Sequence, residues 1–130
     1  MISALWEKDE ARATEIISGL LWDTISYNDY HEDYYHAFLA GVFAGRGYSV
    51  DSNKEKGLGR PDLLLKDRKN RRAIIIEAKK SARESDMERD CREAVRQIIQ
   101  EKYAEGLKGY EKIICYGAAF FQKQVRLRLK

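Results

Sequence analysis

Cysteine, proline and long apolar runs, which would each point to a particular class of protein, are scarce or absent in this sequence. Its 130 residues include two cysteines and one proline, and no apolar run is long enough to span a bilayer. The first residues carry no secretory signal pattern. Cys91 and Cys115 fall in a predicted helix and a predicted strand, without the spacing of a zinc site or a disulfide framework. These absences lead us to expect no structural zinc, no disulfide, no membrane partner and a cytoplasmic location.

Length and charge set further bounds. A chain of 130 residues supports one domain with one substantial core, and no repeats or low-complexity segments appear. The formal net charge of +3 does not by itself indicate a nucleic-acid binder. Basic side chains nevertheless cluster in and around one predicted hairpin: Lys54, Lys56, Arg60, Lys79, Lys80 and Arg83. Without the motif described next, a solvated, salt-bridged surface would be the simpler interpretation of that cluster.

Residues 59–80 are the most informative stretch. Two apolar runs, 63–65 and 74–76, stand on either side of a polar segment with the turn-forming pair Lys69-Asn70. Runs that are apolar on both faces are typical of strands covered on both sides. Pro61 precedes the first run, where a strand tolerates proline. The pattern predicts a buried β-hairpin at the centre of an α/β sheet.

Three charged residues belong to this hairpin, although an isolated buried charge is costly. If the turn is centred between residues 69 and 70, the antiparallel register places Asp62 opposite Glu77, with Cβ atoms roughly 4.5–5.5 Å apart. Lys79 then projects from the same face, because side chains alternate along a strand. A loop with an odd residue count would break this register. The simpler alternative is an exposed strand end where Glu77 and Lys79 pair with Asp62.

Two carboxylates at close quarters repel each other unless a cation lies between them. Hard oxygen ligands of this kind suit Mg²⁺ or Mn²⁺. A divalent ion can polarise a phosphoryl oxygen and lower the pKa of a water, and a neighbouring lysine can orient that water or neutralise developing charge. We therefore predict Asp62 and Glu77 as metal ligands and Lys79 as a catalytic group in phosphodiester hydrolysis.

At these residues the chain resembles the PD-(D/E)XK nuclease superfamily, through Pro61-Asp62, the step to Glu77, and then Ala78 and Lys79. Residues 32–36, 52–53, 57–60 and 97–98 resemble the nuclease-like domains often found behind a bacterial AAA-type ATPase domain. The resemblance covers about residues 28–130. It implies a restriction-endonuclease-like core and a metal-dependent DNA endonuclease, with DNA and an ATPase domain or subunit as partners. A homodimer stays open, as does the alternative of a non-catalytic module that binds nucleic acid or docks a protein.

The same resemblance assigns further site residues. Glu32 occupies the place of an acidic residue beside the metal, although a capping role at the start of its helix explains it equally well. His36, one turn later on the same face, is predicted to contact nucleic acid, and simple packing is its alternative. Gln97 matches a glutamine that some relatives follow with a tyrosine four residues on. Here Glu101 stands at that place and Tyr103 comes six residues on, so Tyr103 is not counted among the site residues. A helix-surface amide is the alternative interpretation of Gln97.

Predicted nucleic-acid contacts extend to the loop before the hairpin and to its end: Lys54, Lys56, Arg60 and Lys80. Apolar spacing predicts helices over residues 5–25, 32–45 and 85–105 and strands over 48–50, 112–121 and 124–129, with a turn at 122–123. The first helix is either a linker from a preceding domain or a lid on the sheet. As a linker it would divide the chain into an N-terminal helix, residues 1–27, and a nuclease-like domain, residues 28–130. The elements together predict a mixed four- to five-stranded sheet flanked by helices.

Overall fold

The computed structural model describes residues 2–24, 32–52 and 61–130. Two 3-10 turns, Glu84–Asp86 and Tyr103–Gly106, flank the last helix. The helices and strands of the described residues are, in chain order, α1 (Ile2–Trp6), α2 (Glu10–Thr24), α3 (Glu32–Ala44), β1 (Ser49–Ser52), β2 (Leu63–Asp67), β3 (Arg72–Lys80), α4 (Met87–Gln100), β4 (Lys112–Phe121) and β5 (Gln124–Leu129).

The five strands form one sheet in the order β1-β2-β3-β4-β5. Only β3 and β4 run parallel, and every other neighbouring pair is antiparallel. A parallel pair needs a long crossover, and α4 lies in the connection that provides it. The predicted mixed sheet flanked by helices is confirmed. None of the helices in the described ranges is long and apolar enough to cross a membrane.

The hairpin has the predicted register. Leu63 pairs with Ile76 and Asp67 with Arg72, so the same register continued by one residue sets Asp62 opposite Glu77. The turn closes with a hydrogen bond from the Arg71 amide to the Arg68 carbonyl oxygen, 3.3 Å. An even loop therefore keeps the three charged residues in the arrangement expected from the sequence.

Both faces of β3 are covered, as the apolar run indicates. Ile74 and Ile76 belong to the main core, which also contains buried residues of α1, α2 and α3. Ile75 points the other way and packs with Ile98 of α4 and with Tyr103. Glu77 and Lys79 share the face of Ile75, so they project toward the α4 side of the sheet.

Two predicted helices are shorter than expected. The helix predicted over residues 5–25 is divided into α1 and α2, because Lys8 is left-handed (φ 61°) and Asp9 caps the next helix through a hydrogen bond from the Arg12 amide, 3.1 Å. The helix predicted over 85–105 ends at Gln100, and Lys102 is left-handed (φ 54°). The division of the chain at residues 27 and 28 stays a prediction.

Helix α2 protects the outer edge of β5. Four helical residues rise about 6 Å and two strand residues about 6.6 Å, so side chains at every fourth position of α2 meet alternate backbone groups of β5. The three contacts are Ser18 Oγ to the Val125 carbonyl (3.2 Å), the Leu127 amide to Thr14 Oγ1 (3.2 Å) and the Leu129 amide to Glu10 Oε2 (2.8 Å). The strand edge is thereby closed to pairing with another chain.

Candidate active site

The centre of the site is a buried pair of carboxylates. Asp62, just before β2, is 4% exposed, and Glu77, in β3, is 2% exposed. Asp62 Oδ2 accepts a hydrogen bond from the Ala78 amide at 2.8 Å, which fixes this carboxylate beside β3. Oε2 of Glu77 is buried and has no hydrogen-bond partner within the described ranges. The pair therefore presents oxygen atoms whose bonding capacity is not used.

The electrostatics of the pair follow from its burial. Desolvation, together with the neighbouring Asp62 carboxylate, raises the pKa of Glu77 to about 9. The Tyr103 hydroxyl and the Lys79 ammonium act in the opposite direction and lower that pKa in part. At neutral pH the Glu77 carboxyl group thus keeps its proton unless a bound cation takes the place of that proton.

Lys79 is held beside this pair from α4. Its Nζ donates a hydrogen bond to Gln97 Oε1 at 2.6 Å, and Gln97 Nε2 donates to the Tyr103 hydroxyl at 3.5 Å. The predicted residues Lys79 and Gln97 are therefore brought together. An ammonium has three protons to donate, so the bond to Gln97 leaves two for other partners.

A glycine lets α4 approach the sheet closely enough for this contact. Gly117 of β4 pairs with Glu77 of β3. A Cβ atom at Gly117 would lie 2.5 Å from the Cys91 carbonyl oxygen and 2.9 Å from Val95 Cγ2, both on α4. Any larger residue would push the helix outward. The small residue on β4 thus positions the helix that carries Gln97.

Tyr103 belongs to the site, although the sequence left it without a role. On a continuous helix, six residues would turn Tyr103 about 120° away from Gln97. Helix α4 ends before this position, and the left-handed conformation of Lys102 turns the chain back toward the site. Tyr103 is therefore buried next to Gln97 and Glu77. Burial raises the pKa of Tyr103 to about 12, so its hydroxyl stays protonated. No glycine or asparagine at position 102 signals this turn in the sequence.

His36 lies inside the site. Its side chain on α3 is 2% exposed, and Nε2 is 3.6 Å from Asp62 Oδ2. Neither ring nitrogen has a hydrogen-bond partner among the residues that the structure describes. The predicted contact of His36 with nucleic acid stays a prediction, and such a contact would have to be made from within the site.

The remaining predicted site residues are placed as follows. Glu32 begins α3, one turn before His36, and its side chain lies outside what the structure describes. Lys54, Lys56 and Arg60 also lie outside the described residues. Lys80 ends β3 and is exposed, on the opposite face of the strand from Lys79.

A protein-family model described as the PD-(D/E)XK nuclease superfamily matches residues 30–129. The chain belongs to this superfamily. The match includes all the described residues of the site, and it assigns the chain a nuclease-like phosphodiester hydrolase fold. The superfamily suggests a nucleic-acid substrate, and its nucleases generally use divalent metal ions. A comparison with curated proteins finds no match.

The donor atoms of this PD-(D/E)XK domain fit a hard divalent ion. Two carboxyl groups lie together in the buried site. In the described part of the chain, one Glu77 oxygen and both nitrogens of His36 have no hydrogen-bond partner. Carboxylates are the ligands that Mg²⁺ and Mn²⁺ prefer, whereas an imidazole is more typical of transition-metal sites. Within the described parts of the chain, no three histidine, cysteine or acidic side chains are already gathered as a ligand set. Asp62 and Glu77 are thus the first candidates to hold the ion.

The carboxylate pair makes the stability of the metal-free PD-(D/E)XK domain depend on pH. Above pH 4.5 the unfolded Glu77 ionises, whereas the folded residue keeps its proton until about pH 9. The unfolded state then binds fewer protons, so stability is full below pH 4.5 and falls as pH rises toward 9. Glutamine cannot ionise, so we expect the stability of Glu77→Gln to fall much less than that of the wild type over this pH range. The free energy of unfolding is measured by urea unfolding in the presence of a chelator at several pH values between 5 and 9.

Glu111 provides the control for this experiment, because it pairs with Arg71 at the exposed surface. Glu111→Gln should keep the slope of the wild type. Identical slopes for the wild type and Glu77→Gln would show that the Glu77 carboxyl group is ionised in the folded state.

Proposed function

We propose that this chain is a metal-dependent nuclease that hydrolyses phosphodiester bonds of DNA, with Asp62 and Glu77 as the ligands of Mg²⁺ or Mn²⁺. The observation that carries the proposal is the buried carboxylate pair with the Lys79 ammonium on the same face of β3. A bound divalent ion supplies Lewis-acid polarisation of the phosphoryl oxygen and a lowered pKa for water.

In this proposal Lys79 is the catalytic residue that orients the attacking water and neutralises charge developing on the phosphate. Its two remaining ammonium protons are available for these contacts. Gln97 is a positioning residue, since its Oε1 holds the Lys79 ammonium at 2.6 Å. Tyr103 in turn positions Gln97, because its hydroxyl oxygen accepts the hydrogen bond from Gln97 Nε2. The raised pKa of Tyr103 keeps this hydroxyl protonated and uncharged.

His36 and Glu32 complete the proposed site from α3. Because the His36 ring lies 3.6 Å from Asp62 and forms no hydrogen bond with other described residues, it can orient Asp62 or supply a nitrogen ligand. Glu32 is proposed as a supporting acidic residue. Contacts to the phosphate backbone are assigned to Lys54, Lys56, Arg60 and Lys80, on their charge and their sequence positions near the hairpin.

The proposal is tested with the purified chain on plasmid and single-stranded DNA. We expect cleavage with Mg²⁺ or Mn²⁺ and none with a chelator. Binding, measured in the chelator, should weaken steeply as salt rises, because each neutralised phosphate releases counterions. Replacing Lys80 with alanine should lower the slope of log affinity against log salt by about one unit.

A non-catalytic module of the same fold is the second candidate, because the raised pKa of Glu77, about 9, lets this residue stay protonated and buried without a metal ion. Such a module would bind nucleic acid or dock a protein, with an ATPase domain or subunit, or a second copy of the chain, as partner. Salt-dependent DNA binding without cleavage in either metal would establish the binding module. Absence of DNA binding even at low salt would favour protein docking.

A further inference from the structure

The contacts between α2 and β5 continue one step beyond the strand. Four residues after Ser18, Trp22 reaches the level of Lys123, two residues before Val125, and the Lys123 ammonium lies 5.0 Å from the centre of the Trp22 ring. The spacing of four along the helix and two along the chain is the same as at the three preceding contacts. The packing that protects the edge of β5 therefore also sets where this pair lies.

Trp22 is exposed to a degree unusual for its type. It is 64% exposed, and Ile99, at 52%, is the other large apolar side chain exposed among the described residues. Trp6, by contrast, is buried in the core. A lysine over one part of the indole ring is a cation–π contact, and the large exposed fraction leaves ring surface open to a further partner.

The Trp22–Lys123 pair lies at the end of the sheet where β3 and β4 finish, which is also the end that carries the candidate active site. Lys80 pairs with Phe120 in the parallel β3–β4 ladder, so the β4–β5 turn follows the strand ends that carry Lys79 and Lys80. In that turn the Gln122 carbonyl accepts a hydrogen bond from the Tyr35 hydroxyl at 2.8 Å. The next residue along α3 is His36, which lies 3.6 Å from Asp62. The Trp22–Lys123 pair is thus linked to Asp62 through Gln122, Tyr35 and His36, by one hydrogen bond, one close approach and the peptide bonds between sequence neighbours.

We propose that Trp22 and Lys123 form a stacking platform for an unpaired nucleobase of single-stranded nucleic acid that enters the site. This inference rests on the proposed function and adds a substrate preference to it. An indole face accepts any base, because every base has a π surface, and an adjacent ammonium complements the phosphate backbone. Bases stacked within a duplex cannot use the platform, so it favours single strands or single-stranded ends.

The test compares Trp22→Ala, Trp22→Phe and Ile99→Ala in a chelator, so that binding is measured without cleavage. The probes are labelled oligothymidine and a duplex of equal length, followed by fluorescence anisotropy. Loss of one stacked base should weaken oligothymidine binding by about 5- to 140-fold in Trp22→Ala. Trp22→Phe should retain most of the affinity, and Ile99→Ala and all duplex affinities should be unchanged. Unlabelled oligothymidine should also quench the exposed Trp22 fluorescence of the wild type.

The outcomes separate this inference from the proposed function. Equal oligothymidine affinities for the wild type and Trp22→Ala, or an equal loss in Ile99→Ala, would overturn the platform while leaving the nuclease proposal standing. Equal losses on duplex and single strand would overturn the preference for an unpaired base. A wild type that binds neither probe at low salt would overturn both proposals. Circular dichroism confirms that each variant is folded, which the exposed position of both residues leads us to expect.

Discussion

Replacing Lys79 with alanine is expected to lower the rate of metal-dependent DNA cleavage by about a hundredfold or more, while metal and DNA binding change little. The reason is the position of Lys79. It lies two residues beyond Glu77 on the same strand face, and Gln97 holds its ammonium there at 2.6 Å. A group that stabilises charge developing during attack on phosphorus acts in the transition state, and losing one typically costs about a hundredfold or more in rate.

The measurement is a cleavage time course with Mg²⁺ and with Mn²⁺, run beside a DNA-binding titration in a chelator. Lys108→Ala is the matched control, because Lys108 is an exposed lysine just before β4, near the strand end opposite to Lys79 and Lys80. It should cleave like the wild type. A Lys79→Ala variant that cleaves at the wild-type rate would remove Lys79 from the reaction.

The second large effect concerns the carboxylate pair. We expect Mg²⁺ or Mn²⁺ to stabilise the wild type, by about 2.7 kcal/mol when the free ion is at a hundred times its dissociation constant. Asp62→Asn and Glu77→Gln should abolish this stabilisation and the cleavage, because each removes a charged ligand. Without metal, Glu77→Gln should be more stable than the wild type at pH 8, because folding of the wild type requires Glu77 to take up a proton at that pH, whereas glutamine needs none.

Thermal unfolding with a chelator and across a metal titration measures both effects. Glu111→Gln again provides the control, because Glu111 lies in an exposed ion pair on the loop before β4. It should show the full metal-dependent shift. Equal shifts in the wild type, Asp62→Asn and Glu77→Gln would place the metal elsewhere or exclude a specific metal site.

The hairpin and the relative positions of its charged residues could be predicted from local sequence patterns alone. Two apolar runs around a short polar turn define strands covered on both faces, and counting back from the turn sets Asp62 opposite Glu77, as the register of Leu63 with Ile76 confirms. The turn at 122–123 and the strands beside it were likewise predicted with their observed bounds. These features depend on the spacing of apolar residues and on the two-residue alternation of side chains along a strand. Both patterns can be seen within a short stretch of sequence.

Other features of the site depend on contacts between distant segments. Tyr103 reaches Gln97 because the chain turns at a left-handed lysine, a conformation that lysine does not signal. His36 lies beside Asp62 because α3 packs against the strands, and Gln97 reaches Lys79 because Gly117 admits α4 to the sheet. The pairing of Trp22 with Lys123 extends over 101 residues of sequence and follows from how α2 lies along β5. Periodicity reveals which face of an element is apolar, whereas the partner of that face is selected by packing, and only the tertiary structure specifies it.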